Sequence, residues 1–148
     1  MTRFAENKKA FFDYEVLEKF EAGIELLGLE TKSVKKGQSS LDGTHIIIRG
    51  REAYILGLKI PPFQTNNTPK NYDPEAIRRL LLTKKEIRIL EERTKNNGLT
   101  IIPISMYNKG NKVKVEIGLV RGKKKYDKRE SIKKREVDRN IRRTLKEK

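Results

Sequence analysis

Two stretches of alternation constrain this chain more than any other feature. From Tyr14 the apolar residues fall at every second place, through Val16 and, after Glu18, Phe20, Ala22, Ile24 and Leu26. The opposite set reads Asp13, Glu15, Leu17, Lys19, Glu21, Gly23 and Glu25. Lys112 to Val120 repeats the pattern, with Val113, Val115, Ile117 and Leu119 on one side and Lys112, Lys114 and Glu116 on the other. A period of two puts successive side chains on opposite faces, so each stretch is a strand with one buried and one wet face. A strand as long as the first, in so short a chain, curves and is shared between two halves of a barrel. Gly23 marks a bulge or a bend within it.

The segments between fit the same architecture. Thr31 to Lys36, closed by Gly37, is a short helical turn, and Ser39 to Thr44 a polar loop around Asp42-Gly43. His45 to Ile48 and Ala53 to Ile60 form a hairpin turning at Arg49-Gly50-Arg51-Glu52. Residues 61–76 hold four of the five prolines and exclude a regular element. At Leu82-Thr83-Lys84-Lys85-Glu86-Ile87 a helix starts, with Thr83 and Glu86 as a capping box and Leu82 against Ile87 as a staple. Ile87 and Leu90 face inward, and Asn96-Asn97-Gly98 ends the helix. Leu99 to Tyr107 is a further strand in which Pro103 demands an edge or a bulge. Five or six short strands with hairpin connections and one capped helix predict a mainly β fold with peripheral helices, an OB-type antiparallel barrel over residues 1–120.

Charge supplies the function class. The chain has 35 Lys plus Arg against 20 Asp plus Glu, a net of +15. Residues 121–148 alone carry 14 against 5, so the closing segment is a distinct basic tail. Such a surplus favours a polyanion, because each neutralised phosphate releases condensed counterions. Nucleic acid leads, and an anionic membrane surface follows. Apolar runs such as Ile46 to Ile48 and Leu80 to Leu82 are far below the roughly 20 residues a spanning helix needs. The absence of cysteine excludes disulfides, thiolate metal sites and cysteine nucleophiles, and with no signal-peptide pattern a cytoplasmic monomer is expected. The tail contains a stripe of Val137, Ile141 and Leu145, with Ile132 slightly off it, and i,i+4 pairs Glu130 with Lys134 and Asp138 with Arg142. So thin an apolar face predicts a segment disordered when free and helical when bound.

No catalytic constellation is visible: there is no phosphate loop, no nucleophile elbow and no paired carboxylates at a recognisable spacing. His45, the only histidine, has no ligand partners and is given no role. The chain reads as a binder without cofactor or metal. Glu21 has two readings: a solvated carboxylate balancing lysines, or an acceptor for a base or ribose donor, which a carboxylate can discriminate although it cannot bind phosphate. Tyr14, Tyr72 and Tyr126 pose a similar choice between core and base stacking, and Tyr126 is the best stacking candidate.

Taken together, NKKAFFDYEVLEKFEAGIELLGLETKSVKKG from Asn7, YDPEAIRRLLLTKKEI from Tyr72, VKVEIGLVRGKKKYDKRE from Val113 and the basic tail resemble the small protein B family, the bacterial transfer-messenger RNA-binding proteins. The resemblance covers residues 7 to about 135. It implies an OB-type barrel that binds the tRNA-like part of transfer-messenger RNA, and delivery of that RNA to stalled ribosomes for trans-translation, without enzymatic activity. By position it implies RNA contacts at Asn7, Glu21 and Leu81; Lys8, Lys84 and Lys85 join them as phosphate contacts on charge alone. It further implies that Gly122, Lys123, Lys124, Asp127, Lys128 and Arg129, with Tyr126 among them, reach the decoding centre of small-subunit ribosomal RNA and the empty message channel. Phe12 and Tyr126 stand where the family commonly has histidine, so a role needing an imidazole proton does not carry over. The alternative to this reading is a structural ribosomal or general RNA-binding OB-fold protein.

Overall fold

A computed structural model describes residues 2–64, 68–95 and 98–123. Among the described residues, seven strands and three helices follow one another as β1 (Arg3–Glu6), α1 (Ala10–Asp13), β2 (Tyr14–Ile24), α2 (Gly28–Lys35), β3 (His45–Arg49), β4 (Glu52–Leu56), β5 (Arg78–Leu81), α3 (Lys84–Lys95), β6 (Leu99–Lys109) and β7 (Lys112–Gly122). All pairings are antiparallel, and the order β6-β3-β4-β5-β2-β7 closes on itself through β6 and β7. The result is a six-stranded barrel, with β1 added along the second half of β6. Closure removes the free edges that an open sheet of this size would present.

The two alternating stretches are the long strands of that barrel. β2 pairs with β7 from Tyr14 to Gly23 and passes to β5 at Gly23 and Ile24, so one strand serves two neighbourhoods. Ala22 from β2 and Val113, Val115, Ile117 and Leu119 from β7 enter one core with Ile55, Leu80, Leu90 and Met106. Fully burying each large aliphatic side chain is worth about 1.5–3 kcal/mol. Pro103 accompanies a register shift between β6 and β7, the expected bulge, and sits between the stretch of β6 paired with β3 and that paired with β1. A residue without an N–H is tolerated there.

Several local expectations are corrected. The bulge in β2 falls between Val16 and Glu18, whereas Gly23 is paired on both sides. Gly23 is needed for space: a Cβ there would stand 3.2 Å from the Cβ of Leu81. The strand expected to reach Ile60 stops at Leu56, because Gly57 has φ 80° and a Cβ there would lie 3.0 Å from the Gly43 carbonyl oxygen. The hairpin turn is tighter than expected, Gly50 and Arg51 both taking positive φ as a two-residue type I′ turn requires. The first substantial helix begins at Gly28 rather than Thr31; its start is marked by Glu30, whose carboxylate accepts the Leu27 N–H at 2.9 Å. β5 was not expected, and β7 runs on through Arg121 and Gly122, past the strand end expected at Val120. The helix at residue 84 is as expected. Thr83 Oγ1 accepts the Glu86 N–H at 3.1 Å, Glu86 Oε1 accepts the Thr83 N–H at 3.0 Å, and Ile87 and Leu90 are buried. Asn96 and Asn97, and the tail helix expected around Val137, Ile141 and Leu145, lie outside the described residues. No described helix is long and apolar enough to cross a membrane.

The proline-rich connection is held by a buried ion pair. Arg78 and Glu30 are each only 4% exposed. Arg78 Nε donates to Glu30 Oε2 at 2.7 Å, Nη2 bonds the same oxygen, and Nη1 donates to the Leu58 carbonyl at 2.7 Å. Nη2 also reaches the Pro74 carbonyl at 3.1 Å, and the Tyr72 hydroxyl donates to the Ile60 carbonyl at 2.7 Å. Tyr72 is thus part of the scaffold, and α2, the segment that follows β4 and residues 72–78 are joined at one point. Removing one member leaves the other charge buried and unpaired, so Glu30→Ala should lower the unfolding free energy by about 3–5 kcal/mol. Urea denaturation measures this, and a loss below about 1 kcal/mol would show the pair to be dispensable.

Candidate nucleic-acid interface

The outward face of β2 organises the candidate residues into two groups. Near its C-terminal end Glu21 projects from the barrel, with Lys114 and Glu116 of β7 beside it. Glu21 Oε2 accepts the Tyr107 hydroxyl at 2.7 Å, and the Lys109 ammonium lies 3.0 Å from Oε1 and 3.3 Å from Oε2. Two residues further along, Gly23 pairs with Leu81, whose side chain lies over the space the missing Cβ leaves and is 45% exposed. Lys84 and Lys85 follow in the first turn of α3, both exposed. Their positive charges oppose the helix dipole at that end, which favours anions. Glu21 and Leu81 therefore form one neighbourhood, a carboxylate beside an open apolar side chain, and Lys84 and Lys85 begin α3 just beyond Leu81 in the chain.

Asn7 and Lys8 stand apart from it. Glu21 pairs with Glu116, Glu116 with Ser105 and Ser105 with Glu6, which places β1 three strands away, about 14 Å across the same outer surface. Asn7 is half-buried there. Its side-chain amide donates to the Pro103 carbonyl at 2.9 Å and its backbone N–H to the Ile104 carbonyl at 2.8 Å, so it braces the bulge in β6 as the chain leaves β1. Lys8 is exposed beside it.

Tyr14 belongs to neither cluster. It starts β2, about 23 Å from Glu21 at the usual rise per residue, and packs with Val16 against Ala10, Ile102 and Val120 under α1. Its side chain is partly buried there. Directly opposite is Gly122, and Lys123 follows with its N–H on the Asp13 carbonyl at 2.9 Å and its ammonium on the Phe11 carbonyl at 2.6 Å. Gly122 and Lys123 are therefore anchored to the barrel, at the opposite end of β2 from Glu21. Phe11, exposed and with the Lys19 ammonium 5.4 Å from its ring centroid, stands at the same corner. Lys124, Tyr126, Asp127, Lys128 and Arg129 lie outside the described residues.

Sequence reasoning missed Tyr107, Lys109 and Lys114. The alternation identified β7, but which residue of β6 meets Glu21 depends on a register shifted by the bulge after Pro103. These partners set the charge of the site. The Tyr107 hydroxyl bond, then Lys109 and Lys114, hold the Glu21 carboxyl below its ordinary value of 4.5 against the opposing effect of desolvation. A carboxyl with a depressed folded-state pKa stabilises the fold fully above the ordinary value and loses that contribution as pH falls through the depressed one. Carbon-detected NMR should accordingly find Glu21 titrating below 4.5, and an ordinary titration would contradict the bonded arrangement.

Comparison with known proteins shows the family. The SmpB protein family model matches residues 4–147. The SsrA-binding protein of Thermosipho melanesiensis is 51% identical over 147 residues, spanning 99% of each chain. That of Mesoplasma florum is 48% identical over 133 residues, 90% of this chain and 89% of the relative. Among solved structures, a chain of tmRNA-SmpB, described as a journey to the center of the bacterial ribosome, matches with a TM-score of 0.66 and 38% identity, covering 86% of this chain and 92% of that one. A family model matched over residues 4–147 and a relative 51% identical over 99% of both chains have one conclusion: the chain belongs to the SmpB family.

Proposed function

We propose that this protein binds transfer-messenger RNA and carries it to stalled ribosomes for trans-translation, acting in the cytoplasm by binding and without chemistry of its own. The observation that carries the reading is likeness from end to end: relatives named SsrA-binding proteins match 99% of the chain, basic tail included. The geometry is in keeping with a division of labour. On this reading the barrel takes the folded RNA on its outer face, with Glu21 and Leu81 offering a base or ribose donor an acceptor and an apolar surface. Lys84 and Lys85, with Lys8 and Asn7 across the sheet, contact the backbone and fix orientation.

The tail, leaving the barrel at Lys123, is then the part that probes the decoding centre and the vacant message channel. A segment that orders only on binding gives up about 2–5 kcal/mol of interaction to do so. It therefore engages tightly only where a channel of ribosomal RNA phosphates is empty, and occupancy is what it senses. Truncation after Lys123 keeps the anchoring contacts with Asp13 and Phe11. The truncated protein should bind transfer-messenger RNA within about threefold of the full chain at moderate salt while peptide tagging on stalled ribosomes disappears. Gel-shift titration and a tagging assay in a reconstituted translation system test this; loss of RNA binding in step with tagging would overturn the division.

A further inference from the structure

The Tyr107 ring is 5% exposed, yet its hydroxyl emerges on the outer face and donates to Glu21 Oε2 at 2.7 Å. A glutamate on an open strand face ordinarily samples several rotamers, and one that must accept a specific donor loses that freedom on binding. Here the freedom is reduced, because the donor is carried on a tyrosine that is itself buried between β1 and β7. Burial and the neighbouring carboxylate push the Tyr107 phenol well above its usual value, so it remains a donor at any working pH. Lys109 is different. Its ammonium is carried on a long exposed chain at the β6–β7 turn, a partner that can swing away and leave an oxygen open.

We propose that Tyr107 is the positioning residue of the RNA site: its hydroxyl presets the Glu21 carboxylate as a directional acceptor, and Lys109 is the contact that yields to the incoming base or ribose donor. The proposal rests on the reading that Glu21 contacts RNA. It assigns to a buried tyrosine part of the discrimination between the cognate RNA and any other polyanion, since a preset acceptor rewards a correctly placed donor and does nothing for phosphate.

The test uses the full chain with Tyr107→Phe, which keeps the buried ring and removes only the hydroxyl. The probes are the tRNA-like domain of transfer-messenger RNA and a stem-loop of equal length and unrelated sequence. Tyr107→Phe should weaken the cognate complex about 3- to 10-fold, the range for losing one hydrogen bond, and the unrelated one less than about twofold. Glu21→Gln should act in the same direction, and the double variant should be no weaker than Glu21→Gln alone within about twofold. The Glu21 carboxyl resonance in free Tyr107→Phe should titrate closer to 4.5, a shift that general loosening of the barrel would not confine to this residue. Selective loss in Glu21→Gln with none in Tyr107→Phe, or losses that multiply in the double variant, would overturn the positioning role and leave the Glu21 contact standing. Equal loss on both RNAs in Glu21→Gln would overturn the Glu21 contact itself, and the proposal with it.

Discussion

The passage of β2 from β7 to β5 at Gly23 is the constraint on which the rest of the molecule depends. At that residue β2 is hydrogen-bonded to β7 on one side and β5 on the other, and the absent side chain lets Leu81 lie across the junction. An alanine would put a Cβ 3.2 Å from the Leu81 Cβ, and strand Cβ atoms cannot retreat without moving the ladder. The junction brings β5 into the sheet, and with β5 come Leu81 on the outside and Arg78 on the inside. One fixes the apolar edge of the candidate surface. The other reaches Glu30 and ties the proline-rich connection to α2. Surface and scaffold are thus set by the same crossing.

The sequence made the long elements legible because each was specified by a local pattern. Alternation over Tyr14 to Leu26 and over Lys112 to Val120 needed no knowledge of partners to be read as strand, and the Thr83 and Glu86 pair identified its helix from four residues. What escaped depended on distant ones. β5 is four residues long, RRLL, too short for a period to declare itself, and its inward arginine breaks the apolar rule. That arginine is buried because Glu30, 48 positions earlier, receives it. The early start of α2 was hidden for the same reason: a glutamate caps it where a serine, threonine or aspartate would have signalled the end.

The candidate site divides along the same line. Glu21, Leu81 and Asn7 were reached by position within recognised motifs, and Lys84 and Lys85 by charge. Asn7 also proves to have a structural duty, bracing Pro103, so its amide is oriented by the fold before any RNA arrives. Tyr107 could not be found from sequence, since its hydroxyl meets Glu21 only through the register of β6 on β7 and β7 on β2, and that register includes a bulge in each pairing. A bulge shifts every later residue by one, which changes the face a side chain occupies. Glu15 and Arg121, at the other end of β2, are opposite one another by the same accounting.

The distribution of ion pairs bears on how a protein of net charge +15 can be selective. On the barrel, Arg3, Lys19, Arg79, Arg93, Lys109 and Arg121 each have a carboxylate within 4.0 Å, although residues 1–120 still carry a surplus of cations. Exposed pairs of this kind contribute about 0–1 kcal/mol each, so they can be exchanged for contacts with RNA at small cost to the fold. The carboxylates left behind are not neutral bystanders. Wherever a phosphate approaches without a donor group to satisfy the displaced acid, like charges meet, and the encounter is penalised. A folded RNA that places base or ribose donors against those acids escapes the penalty, while a featureless polyanion does not. The closing 28 residues hold 14 cations and 5 acids, a composition with far less of that restraint, suited to affinity for a phosphate-lined channel. On the proposed reading, selectivity is therefore built into the barrel by its acids as much as by its bases, and the tail can be indiscriminate because the barrel has already chosen the RNA.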